Sequence, residues 1–181
     1  MAVVTHGVST NTPERYLFGA GTVYYGWTSV ASPGTVLGAA LGGCALEINR
    51  GFRDIRPDGS KGPVKGFRRV ESVGAKLTVM QLEITEAVLL KMLPGAAASS
   101  HVITGAEIDD DDYFDLGYVL EHTGFTMTSD PLVIKLSNCI AVGPFKIDAK
   151  NNEEAIVEVT FEAHYADSDL STEPWEVTYP S

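Results

Sequence analysis

At 181 residues the chain has room for one domain, and a chain of that size buries about 70% of the surface its unfolded form exposes. Apolar residues at 44% and charged residues at 20% exclude wholesale disorder. The net charge of −11, from 24 acids against 13 bases, argues against a protein that grips nucleic acid over a broad basic face.

Residues 1–15 mix Thr, Ser, Pro and Gly and read as an extended arm. They lack the basic start and apolar run of a secretory signal. Tyr16–Trp27 is apolar and rich in Gly and aromatics, and predicts a strand closed by the turn Ala31-Ser32-Pro33-Gly34. Cys44–Asn49 alternates, with Cys44, Leu46 and Ile48 on one side and Glu47 on the other. Residues 50–69 then form a protruding basic loop, punctuated by Gly and Pro. Val70–Leu82 resumes as a strand, with Ala75, Leu77 and Val79 facing one way and Lys76 and Thr78 the other. One short helix is expected over Thr85–Leu93, with Thr85 as N-cap and Pro94-Gly95 as its stop.

Three further strands are expected at Gly117–Phe125, Pro131–Ser137 and Ile140–Ile147. The clearest alternation is Ala155–Tyr165. Its odd residues form an apolar face, which turns Glu158, Thr160 and Glu162 away from the core. A short strand at Trp175–Tyr179 completes a mainly β fold, a sandwich or open barrel of two antiparallel sheets with one flanking helix. No repeat or linker divides the chain, so 1–181 reads as a single domain. Cys44 and Cys139 are too few for a disulfide framework, and both are expected to be reduced and buried.

Catalytic and ligand motifs do not emerge. The stretch Gly59–Gly66 lacks the Gly-Lys-Ser/Thr ending and the following helix of a phosphate loop. A calcium loop starting at Asp110 would put Glu121 last, but it puts Phe114 and Asp115 where a ligand and a glycine belong. His6, His101, His122 and His164 share no metal-ligand spacing. No nucleophile elbow or acid–base carboxylate pair stands out, so no enzyme and no cofactor is expected.

The string Glu47–Thr78, EINRGFRDIRPDGSKGPVKGFRRVESVGAKLT, resembles the tail tube (major tail) proteins of long-tailed bacteriophages, especially those of Gram-positive hosts. Leu82–Pro94 is similar to that family's short helix. Phe161–Tyr165 and Glu173–Val177 are similar to its last long strand and final short strand. The resemblance implies a two-sheet sandwich assembled as six-membered rings that stack into a hollow tube, with one sheet of each subunit joining a continuous barrel around the DNA channel. It implies a virion tail protein made and assembled in the host bacterial cytoplasm. Its partners would be itself and the tape measure, tail terminator and tail tip proteins, with DNA passing through unbound and no membrane involved. The segment 94–112 matches nothing in the family.

Charge distribution gives that reading a mechanism. Arg50, Arg53, Arg56, Lys61, Lys65, Arg68 and Arg69 meet only Asp54 and Asp58 between residues 50 and 69, a net +5 that leaves −16 on the remainder. The basic segment is therefore the candidate inter-ring or inter-subunit device. If the Ala155–Tyr165 strand lies in the inner sheet, Glu158, Thr160 and Glu162 face the lumen, where carboxylates keep DNA from sticking. Two rivals are a tail terminator on the same fold and a monomeric sandwich that binds a small ligand through Tyr24, Tyr25 and Trp27.

Overall fold

The computed structural model describes residues 17–122, 131–149 and 151–180. The expected arm at 1–15, His6 and the end of the strand expected to reach Phe125 lie outside them. In chain order the elements are β1 (Leu17–Tyr25), β2 (Thr35–Val36), β3 (Ala40–Asp54), β4 (Arg68–Gln81), α1 (Glu86–Met92), β5 (Ala96–Ser99), β6 (Val102–Gly105), β7 (Phe114–His122), β8 (Leu132–Val142), β9 (Val157–Glu162) and β10 (Trp175–Thr178). All pairings are antiparallel.

The main path runs β2-β1-β7-β8-β9-β4-β3, with β10 also on β8. It divides into two sheets because β8 serves both. Its first half pairs with β7 and β10, while Ile140, Ala141 and Val142 pair with β9. The switch is at Asn138, whose φ of 49° breaks the pleat. Asp115 accepts from the Asn138 N–H at 3.0 Å, and the Asn138 side chain donates to the His164 carbonyl at 3.3 Å. Asn tolerates this left-handed backbone better than most residues, which is why the kink falls on it. The sheets do not close into a barrel.

The core lies between the sheets. Leu77 and Val79 of β4, Leu116 of β7, Leu136 of β8 and Val157 and Phe161 of β9 are almost fully buried there. All but Leu116 are inward positions that the period-2 pattern assigned; Leu116 lies before the strand expected to start at Gly117, because β7 begins earlier, at Phe114. Phe161 meets Phe114 edge-on at 5.7 Å, and Phe114 meets Tyr25 edge-on at 6.4 Å, so one aromatic chain bridges the two sheets. Phe161→Ala is expected to cost about 3–5 kcal/mol, because the site cannot collapse around the missing ring. A denaturant midpoint unchanged from the parent would contradict this placement of the core.

Trp27, Val119 and Val133 form a second cluster on the outer face of the first sheet, with Tyr24 tilted against Trp27 at 5.7 Å. The Trp27 ring lies where a Cβ on Gly117 would stand. Leu132, Val133 and Ile134 are thus all buried, since both faces of β8 are covered there. The aromatics offered above as a ligand platform are packing groups: Trp27 is buried, and Tyr24 and Tyr25 are half-buried.

Helix α1 begins as expected, with the Thr85 hydroxyl accepting from the Val88 N–H at 3.3 Å, and buries Val88 and Met92. Several expectations need correction. The strands expected at Pro131–Ser137 and Ile140–Ile147 are the single strand β8, bent at Asn138 and ended before Gly143-Pro144. The unplaced segment 94–112 holds the β5–β6 hairpin and a short 3-10 turn at Asp110–Asp112. Asp109 and Asp112 cap that turn reciprocally, so these acids are committed to local backbone.

Cys139 is buried, but Cys44 is only half-buried. Its strand lies at the sheet margin and one side of it opens toward solvent. Burial pushes both thiols up from their ordinary range. A thiol reagent at about pH 8 is expected to label Cys44 slowly and Cys139 only on unfolding. Rapid labelling of both in the native protein would contradict this.

Candidate functional site

The basic segment is a hairpin whose connecting loop is shorter than the expected 50–69. Pairing on β3 continues to Asp54 and resumes on β4 at Arg68, leaving only residues 55–67 as loop. Arg50 and Arg53 therefore lie on β3, and Arg68 and Arg69 on β4. Arg56, Lys61 and Lys65 lie in the loop. The ladder runs on past a bulge between Gly51 and Phe52 because the composition is strand-like on both sides, and the Gly and Pro residues that signalled a loop concentrate between residues 57 and 66.

The structure separates the seven cations into two groups. Arg50 pairs with Glu173 at 2.6 Å and stacks over Trp175 at 5.5 Å. Arg68 forms a two-pronged pair with Asp54, at 2.7 and 3.1 Å, and covers Phe52 at 5.5 Å. That guanidinium holds the Asp54 carboxyl below its ordinary range. Arg69 donates to the carbonyls of Gly66 and Arg68. Arg53, Arg56, Lys61 and Lys65 make no hydrogen bond or ion pair among the described residues. Arg50 thus ties the hairpin to the segment before β10, Arg68 and Arg69 brace the hairpin internally, and the other four cations make no such contact among the described residues.

Apolar groups accompany the four free cations. Phe52, Ile55, Val64, Phe67 and Val70 are all substantially exposed on this one hairpin. Exposed apolar side chains gathered with charge mark an interaction surface more often than they mark a solvated loop.

The second sheet, β3-β4-β9 with the lower half of β8, has two open edges. β3 ends the path with 15 residues, and Ile140–Val142 has no described strand on the side away from β9. One face of this sheet packs on the core. On the other, Glu158, Thr160 and Glu162 project from β9 as their parity requires, Glu158 exposed and the other two half-buried. Their neighbours across the ladder are Met80, Thr78 and Lys76 of β4.

Those neighbours make the three residues unequal. Glu162 pairs with Lys76 at 3.3 Å, and Lys76 stands opposite Glu47 on β3, so a row Glu47–Lys76–Glu162 crosses three strands with a net charge of −1. The Thr78 and Thr160 hydroxyls bond at 2.9 Å. Glu158 makes no ion pair among the described residues. Sequence periodicity assigned the face but did not reveal that Lys76 neutralises part of it. The alternation of Glu47, Lys76 and Glu162 in their separate strands was the available signal, legible only once strand order is known.

No protein-family model matches the sequence, and no curated protein does. Among solved structures the fold is similar to a chain from a structure titled "Virion of native gene transfer agent (GTA) particle". The TM-score is 0.46 at 10% identity, over 81% of this chain and 92% of that one. A likeness at that level is one of outline.

Proposed function

We propose that this chain is a structural virion protein, a tail tube subunit that polymerises as stacked six-membered rings into a hollow tube for DNA delivery. The observation that carries the reading is the second sheet. Among the described residues it is open at both edges, packs one face on the core, and carries Glu47, Lys76, Thr78, Glu158, Thr160 and Glu162 on the other. A strip of that kind is completed by its own copies: the β3 edge of one subunit meets the Ile140–Val142 edge of the next, and a ring leaves no edge unpaired. In the antiparallel order β3-β4-β9-β8 the two outer strands run in opposite directions, so their junction continues the antiparallel ladder.

The segment that resembles tail tube proteins, Glu47–Thr78, falls on the hairpin and its two strands. The sheet face bearing Glu158, Thr160 and Glu162 then becomes the channel wall. No catalytic step belongs to this reading, and DNA is passed rather than bound. Negative-stain images of the purified protein, alone and with the other tail proteins of its particle, test it. Rings of six subunits and tubes are expected. A protein that stays monomeric under both conditions would overturn the reading and favour a solitary sandwich.

A further inference from the structure

The hairpin lies at one pole of the second sheet. β3 and β4 run from the Ala40–Gln81 pair to the Asp54–Arg68 pair, and β9 pairs with β4 only from Gln81 to Lys76. The outer part of the hairpin therefore projects past the end of the sheet. At the opposite pole, on the polar face, is a groove of about 400 Å³. Met80, Val142, Pro144 and Ile156 give it apolar walls, and Glu158 and Thr160 give it a polar margin. Lys146 in its wall is already matched by Asp148 at 2.5 Å, and Glu154 stands exposed two residues before Ile156. The acidic charge of this margin is thus not cancelled from within.

We infer that this groove is the socket for the hairpin tip of a second copy in the adjacent ring, taking Ile55, Val64 and Phe67 against its apolar walls and the free cations Lys61 and Lys65 against Glu158. The inference rests on the tube reading above and names the two surfaces that meet. Three features of the molecule converge on it. The tip carries exposed apolar side chains and unpaired cations, and the groove presents the complementary pair of properties. Tip and groove lie at opposite poles along the strand direction, so translation along the strands brings one copy's tip to the next copy's groove. A head-to-tail contact of that kind repeats without closing, which a stack of rings requires. Arg50–Glu173 ties β3 to the segment before β10 and Arg68–Asp54 closes the ladder at the foot of the loop, so the tip starts from a fixed stem.

The test is a cross-link across the junction. A Val64→Cys, Ile156→Cys chain is assembled and oxidised. Covalent ladders are expected to extend beyond six subunits, which a contact confined to one ring cannot produce, and neither single variant should form them. In parallel, Glu158→Lys is expected to form rings that do not stack, and adding Lys61→Glu and Lys65→Glu to the same chain should restore tubes. Tubes that form normally but give no ladder, or that tolerate Glu158→Lys unchanged, would overturn the socket and leave the tube reading standing. Failure of the parent to form any ring would overturn both.

Discussion

A chain carrying Arg53→Ser, Arg56→Ser, Lys61→Ser and Lys65→Ser is expected to fold as the parent does and to lose tube formation. These four cations have no ion pair within the described residues and contribute nothing to the core. Exposed substitutions of this type cost about 0.5 kcal/mol or less each. The expected melting curve is therefore close to the parent's, while sedimentation shows no long polymer. In the proposed tube a ring of six copies would carry −66, so stacked rings would repel one another unless opposite charges were brought into register. Removing four cations from each hairpin takes away that register and deepens the repulsion.

A control follows from the other three cations. Arg50→Ser removes the Glu173 pair and the contact with Trp175, so it is expected to loosen the subunit itself, by about 1 kcal/mol or less since the pair is partly solvated. Raised salt should also weaken stacking of the parent, since exposed charges are screened beyond about 8 Å at physiological ionic strength. Long tubes from the four-fold variant at physiological salt would show that charge does not drive stacking.

How far the sequence reveals this surface depends on the kind of order involved. The odd residues of β9 and the inward triplet Ala75, Leu77 and Val79 were legible because a strand half-buried in a sandwich has a strict period of two. The helix was legible from Thr85 and Pro94-Gly95. Strand order was not, because no local rule says that β9 lies between β4 and β8. The kink at Asn138 was hidden for the same reason. Its neighbours Ser137 and Cys139 fit two strands as well as one, and only the bonds to Asp115 and His164 hold the bend. The division of the seven cations required Glu173 to come within reach of Arg50 across 123 positions, a contact that no spacing encodes.

The same dependence on strand order decides how the proposed channel wall should be tested. Sequence parity treats Glu158 and Glu162 as equivalent, but Glu158 rims the groove at one pole while Glu162 sits mid-sheet beside Lys76. Glu162 is therefore the residue that reports on the wall without touching the proposed stacking contact. Changing it to Lys converts the row Glu47–Lys76–Glu162 from −1 to +1, and in a six-membered ring from −6 to +6. The subunit should still fold, because loss of one cross-strand pair and its replacement by like charges costs about 0.2–1 kcal/mol. Duplex DNA carries about one charge per 1.7 Å of its axis, so in the proposed tube a stack of basic rows would present a multivalent phosphate-binding surface along the path of the genome. Genome ejection from tails built of Glu162→Lys is expected to slow or stall, most strongly at low salt, and to recover as salt rises. Ejection at the parental rate at low salt, from tubes of normal length, would put this face of the second sheet outside the lumen.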